Sequence, residues 1–154
     1  MAALLDGARP GRLVTGTAIA PASEVMAEDD LRGVHVLVVE DSKDTLEFLR
    51  EVLQTCGAFV TTAASKKEAE RRLQDLLPHA IVSDVAMPDD GVELARYAVQ
   101  LARDRGAPVP MIAISAHRYE PADLKRVGFV EFVQKPLDPI ALCSRIRSHV
   151  RAVS

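Results

Sequence analysis

A chain of 154 residues, 48% of them apolar, suits one domain and can bury a full core without metal or disulfide staples. The net charge of −3, with both signs interspersed, argues against a nucleic-acid groove, which needs a clustered basic surface. No apolar run approaches the ~20 residues of a membrane helix, and no basic stretch followed by a compact apolar core marks a secretory leader, so a soluble cytoplasmic protein is expected.

Residues 1–31 read as a flexible arm and residues 32–154 as one folded domain. Met1 to Asp30 is rich in Ala, Gly and Pro without a sustained period, and it has too little apolar surface to offset its ordering entropy. Met26 offers an alternative start, and no function is assigned to the residues before it.

Val34 to Val39 is a β-branched run with almost no polar interruption, as expected for a strand buried on both faces. Leu46, Leu49, Leu53 and Cys56 then recur at helical spacing, with Ser42 or Asp44 near the start and Gly57 at the stop. Phe59 to Thr62 is a short strand, and Ala69, Leu73, Leu76 and Leu77 mark a second helix ended by Pro78. Lys66-Lys67 and Arg71-Arg72 on that helix read as a solvated face. A third strand, Ala80 to Ser83, leads directly into Asp84.

A helix is predicted from about Val92 to Arg103, burying Leu94, Ala98 and Leu101. The fourth strand spans Val109 to Ile114 and the fifth Phe129 to Val133, with a short helix around Ala122 to Val127 between them, closed by Gly128. Pro139 begins the last helix, whose Leu142, Ile146 and Val150 share a face. Cys56 and Cys143 sit among apolar neighbours without zinc-site spacing, so two buried thiols in a reducing compartment are expected.

Strict alternation of β and α implies a parallel sheet with helices on both faces. In such sheets the reactive crevice lies beyond the carboxyl ends of the strands. The chemically interesting residues sit there. Glu40 and Asp41 follow the first strand, Asp84 ends the third, Ser115 closes the fourth and Lys135 follows the fifth.

Taken alone, Glu40 and Asp41 read equally well as turn or capping residues, Ser115 as a turn residue and Lys135 as a surface charge. Together they make a pocket of crowded carboxylates, which repel one another unless a cation compensates. Mg²⁺ suits an all-oxygen site that must also meet phosphate. The three acids contribute roughly −3, and Mg²⁺ with Lys135 about +3, so one more anionic group at Asp84 is tolerable only with the metal in place. A hydroxyl and a point positive charge are what a phosphoryl group's oxygens need.

Four segments, Val38-Val39-Glu40-Asp41-Ser42, Asp84-Val85-Ala86-Met87-Pro88, Ile114-Ser115-Ala116 and Lys135-Pro136, fall in register on these elements. From about Val34 to Arg151 the chain resembles the receiver domain of two-component response regulators, in particular the stand-alone, chemotaxis-type single-domain receivers. The resemblance implies a flavodoxin-like (βα)5 doubly wound parallel sheet of strand order 2-1-3-4-5. It implies Asp84 as phosphoacceptor from a histidine kinase or histidine phosphotransfer protein, with Asp41, Asp84 and the Ala86 backbone carbonyl as Mg²⁺ ligands and Glu40 acting through a water. Ser115 and Lys135 would bind the phosphoryl oxygens, the bond to Pro136 would be cis, and Phe132 would be the aromatic switch paired with Ser115.

Three departures stand out. Met87-Pro88-Asp89-Asp90-Gly91 is one residue shorter than the usual loop, and the segment from His117 to Gly128 is short, leaving about two turns for the fourth helix. By the same resemblance, Ala86 and His117 occupy positions that in this family influence how long the acyl phosphate survives.

Two rivals compete with a phosphorylated receiver. A metal-dependent aspartyl-phosphate phosphohydrolase would want an acid two residues after Asp84, where Ala86 stands. A phosphorylation-independent binding module on the same fold would ordinarily have lost an acid, the Lys or the acceptor. The expectation is therefore a regulator that catalyses only its own phosphorylation and dephosphorylation. Its output would come through protein–protein contact, including a homodimer formed on phosphorylation, with no nucleic-acid or membrane partner.

Overall fold

Five strands alternate with five helices in the computed structural model, which describes residues 31–85 and 91–150. The elements are β1 (His35–Val39), α1 (Lys43–Thr55), β2 (Phe59–Ala63), α2 (Lys66–Asp75) and β3 (Ala80–Asp84), then α3 (Gly91–Arg105), β4 (Met111–Ser115), α4 (Pro121–Val127), β5 (Phe129–Gln134) and α5 (Pro139–His149). All strand pairs are parallel, in the order β2-β1-β3-β4-β5. This is the expected doubly wound flavodoxin-like sheet.

The period-2 geometry of the strands divides the core into two layers. Val36 and Val38 on β1 pack with Leu49 and Leu53 of α1 and Leu142 and Ile146 of α5. Leu37 and Val39 face the other way, onto Ala69 and Leu73 of α2, Leu94 and Ala98 of α3 and Leu124 of α4. Every residue of β3 and β4 is buried, which is why each opens on an apolar run, Ala80 to Val82 and Met111 to Ile114, before its polar end. Each fully buried Leu or Ile contributes about 1.5–3 kcal/mol from desolvation, so these layers supply the main stabilising term.

Local chemistry sets the helix ends. The Ser42 hydroxyl accepts from the Thr45 N–H at 3.4 Å, so Ser42 rather than Asp44 is the α1 N-cap. Ser65 caps α2 by accepting from Glu68 N–H, and Asp138 caps α5 by accepting from Ile140 and Ala141 ahead of the tolerated Pro139. Gly128 closes α4 at φ +122°, and a Cβ there would lie 2.6 Å from Val99 Cγ2, so α3 and the start of β5 approach as closely as a glycine permits.

The structure departs from the expected elements in several places. α2 stops at Asp75, and Leu76 is already extended, so Leu76 and Leu77 belong to the link into β3 and not to the helix. Pro78 accounts for this, because its ring disfavours helical backbone immediately before it. β4 starts at Met111, since Pro110 has no N–H to give the ladder and only its carbonyl is used, by Ile81 at 3.0 Å. α3 runs further at both ends than the predicted Val92–Arg103 span.

Leu31, the last residue of the expected arm, is fully buried and donates its N–H to the Cys56 carbonyl at 2.8 Å, so the packed body takes it in. Residues 1–30 lie outside the described residues.

The two cysteines require a correction. Both are buried as expected, but they are joined as a disulfide and are not free thiols. α1 and α5 share one face of the sheet, which brings the Cα atoms to 6.8 Å across 87 residues of sequence, within reach of a bridge. Among the described residues no helix is long and apolar enough to cross a membrane.

Candidate functional site

β1 ends at Val39, which pairs with Ser83 of β3, so Glu40 and Asp41 leave the sheet beside Asp84. Glu40 and Asp84 are buried while Asp41 is exposed, and one carboxylate oxygen from each lies within 4.8 Å of the others. The fold thus makes a cluster from acids 44 residues apart in sequence, because parallel strands place their carboxyl ends on one side.

β5 delivers the counter-charge. Lys135 Nζ donates to Glu40 Oε1 at 2.9 Å and to Asp84 Oδ2 at 3.0 Å. Glu40 also accepts from the Ser42 N–H at 3.1 Å through its other oxygen. Burial pushes the Glu40 carboxyl above its ordinary range, and the bonds from Lys135 and Ser42 only partly offset that shift. Burial alone would lower the Lys135 ammonium, but its bonds to Glu40 and Asp84 outweigh it and raise the group above its usual value.

Ser115 ends β4 next door, buried, with its hydroxyl accepting from the His117 N–H at 3.0 Å. Its carbonyl accepts from the Lys135 N–H at 2.8 Å, which ties the ends of β4 and β5 together. The Lys135–Pro136 bond is cis. Phe132, three residues earlier on β5, packs on the α2/α3/α4 layer and meets Tyr119 edge to face, with ring centroids 6.1 Å apart at 85°.

The structure therefore brings together Glu40, Asp41, Asp84 and Lys135, with Ser115 at the adjoining strand end and Phe132 below. Ala86 and the loop residues Met87, Pro88, Asp89 and Asp90 lie outside the described residues. Two participants escaped the sequence reading. The Ser42 N–H holds Glu40 because a turn follows β1, and Tyr119 covers Phe132 from a loop whose aromatic content alone carries no spatial signal.

The donor set fits a hard divalent cation. Three carboxylates face one lysine, two of the three are buried, and every available side-chain ligand atom in the cluster is oxygen. Lys135 neutralises about one of roughly three negative charges, so an excess remains for a cation to meet.

The profile of the response regulator receiver domain family matches residues 36–147. An uncharacterised 14.6 kDa protein of Leptolyngbya boryana is 38% identical over 125 residues, covering 79% of this chain and 94% of its own length. Protein PilG of Pseudomonas aeruginosa is 27% identical, covering 80% of this chain and 92% of its own length. Among solved structures, the Vibrio cholerae chemotaxis protein CheY4 superposes with a TM-score of 0.68 at 26% identity, covering 75% of this chain and 97% of that one.

Proposed function

This chain belongs to the response regulator receiver domain family of two-component signalling, and on that premise we propose that Asp84 accepts a phosphoryl group from a histidine kinase or phosphotransfer protein in a Mg²⁺-dependent step. The observation that carries the reading is the single lysine bridging Glu40 and Asp84 inside a cluster of three acids.

Asp41, Asp84 and the Ala86 carbonyl would hold the ion, with Glu40 acting through a water. When bound, the ion supplies positive charge to the oxygens of the transferring group. An Asp84 carboxylate oxygen forms the new P–O bond as the P–N bond to the donor imidazole breaks, and the released imidazole is neutralised by solvent protons.

Lys135 then faces one more anionic group than before, and its ammonium moves from the carboxylates toward the phosphoryl oxygens. Ser115 changes role: its hydroxyl now accepts from His117, and it turns to donate to phosphate. That release frees the His117–Tyr119 stretch, and Phe132 loses its edge-to-face partner. Phe132 moving inward reshapes the face made by α4, β5 and α5, through which a protein partner or a second copy reads the signal. Phosphorylation in this account shifts a pre-existing two-state equilibrium. Ala86 has no side-chain group to orient a hydrolytic water, and the chain performs no turnover beyond its own phosphorylation and dephosphorylation.

The test is intact mass after incubation with Mg²⁺ and a small acyl phosphate. One phosphoryl addition is expected, absent in Asp84→Asn and under chelation; addition that persists in Asp84→Asn would overturn the assignment. Phe132→Ala should keep the addition while weakening partner binding.

A further inference from the structure

α3 and α4 leave between them a groove of about 380 Å³ lined by Arg96, Val99, Gln100, Arg103, Arg126 and Val127. The chain as a whole carries −3, yet this groove is lined by three arginines and no acid. Nearby acids are engaged at the edges: Asp104 accepts from Gln100 at 3.0 Å, and Asp123 is paired with Arg126. The guanidinium groups of Arg96 and Arg103 make no hydrogen bond or ion pair with any described residue. Elsewhere, Arg50, Arg72 and Arg145 each meet a carboxylate.

The spacing narrows the occupant. Arg96 and Arg103 stand seven residues apart on α3, so they share a face and are separated by about 10 Å along its axis. Val99 lies between them on the same face, and Val127 closes the floor from α4. The close approach of Gly128 to Val99 holds that floor in place. Arg126 is 71% exposed in its side chain and already paired with Asp123, and Arg96 and Arg103 are set two turns apart along α3, whereas a small anion would need guanidiniums converging on one point.

We propose that the α3/α4 groove docks an acidic amphipathic helix of a partner protein, with carboxylates two turns apart on Arg96 and Arg103 and an apolar residue between them on Val99 and Val127. Docking a helix in a groove between helices uses i, i+3, i+4 and i+7 anchors, which is the spacing these residues present. The charges steer encounter and fix register, while the valines contribute the apolar contact. The groove runs from the second turn of α3 to the last turns of α3 and α4, on helices that lead away from the strand ends, so the docking surface does not include the phosphoacceptor.

The test titrates the full, unphosphorylated chain in chelator with a short helix-forming peptide carrying Glu at i and i+7 and Leu at i+3 and i+4. Binding and amide shifts are read by NMR, with a Gln-for-Glu peptide and inorganic pyrophosphate as parallel probes. Perturbations confined to α3 and α4 are expected, with affinity falling about fivefold in Arg96→Gln or Arg103→Gln, at least tenfold in the double variant, and with rising salt. Arg103→Lys should retain part of the affinity, and Asp84→Asn should bind like the natural chain. Equal binding of the two peptides, shifts mapping elsewhere, or pyrophosphate binding where the peptide fails would each overturn the proposal, the last in favour of a small-anion site.

Discussion

Replacing Lys135 by Met removes the ammonium but keeps an unbranched stem that packs as the lysine's does. In the structure that ammonium makes two charge-assisted hydrogen bonds, at 2.9 Å and 3.0 Å, to carboxylates whose side chains are 1% and 9% exposed. Removing one partner from a fully buried ion pair costs about 3–5 kcal/mol, because the remaining charge stays desolvated and unmatched. The Lys135 side chain is 22% exposed, so water recovers part of that loss. The expected destabilisation in chelator is therefore about 2–3 kcal/mol, or a fall in Tm of roughly 8–12 °C for a domain of this size. Mg²⁺ should stabilise the variant more than the natural chain, because a bound cation supplies charge that the variant lacks. Urea unfolding followed by circular dichroism, in EDTA and in excess Mg²⁺, gives both quantities. A variant within about 0.5 kcal/mol of the natural chain in EDTA would refute the reasoning, since that is the spread of inconsequential surface changes.

Ser83→Ala should stabilise the fold by about 1 kcal/mol, because the fully buried Ser83 hydroxyl has no hydrogen-bond partner among the described residues; a loss of stability on thermal melting would show that it has one. Gly128→Ala should cost about 1–3 kcal/mol in urea unfolding, since the new methyl meets Val99 at 2.6 Å on a backbone with positive φ, and a neutral result would mean the α4–β5 turn relaxes freely. Burial alone would raise the Glu131 carboxyl, but His149 and Arg145 outweigh it and hold it below its ordinary 4.5. Its stabilising contribution is therefore complete above pH 4.5 and is lost as pH falls through the lowered value, so the stability gap between the natural chain and Glu131→Gln should close on acidification, and a gap independent of pH would exclude this linkage. Alkylation of the denatured, unreduced chain should leave Cys56 and Cys143 unmodified by mass, whereas two adducts would restore the free-thiol expectation.

Much of the architecture was legible because burial on both faces leaves a local trace. β1, β3 and β4 each carry three or more apolar residues in a row, the helices show a period of 3.6, and Ser42, Gly57 and Gly128 punctuate them. Alternation of the two periods settles a parallel sheet, and with it the placement of Glu40, Asp41, Asp84, Ser115 and Lys135 at one end. The errors sit where local signals compete: Leu76 and Leu77 continue an apolar spacing that Pro78 interrupts, and the apolar context of the two cysteines indicates burial without indicating their pairing.

Only tertiary structure decided which groups touch. A lysine meets Glu40 from 95 residues away, two cysteines meet across 87, Tyr119 closes on Phe132, and arginines of separate helices line one groove. Periodicity is set within a few residues by backbone geometry, so sequence carries it. Contact depends on how layers stack and helices lie against the sheet, which is a property of the whole packed chain and leaves no mark at any single position.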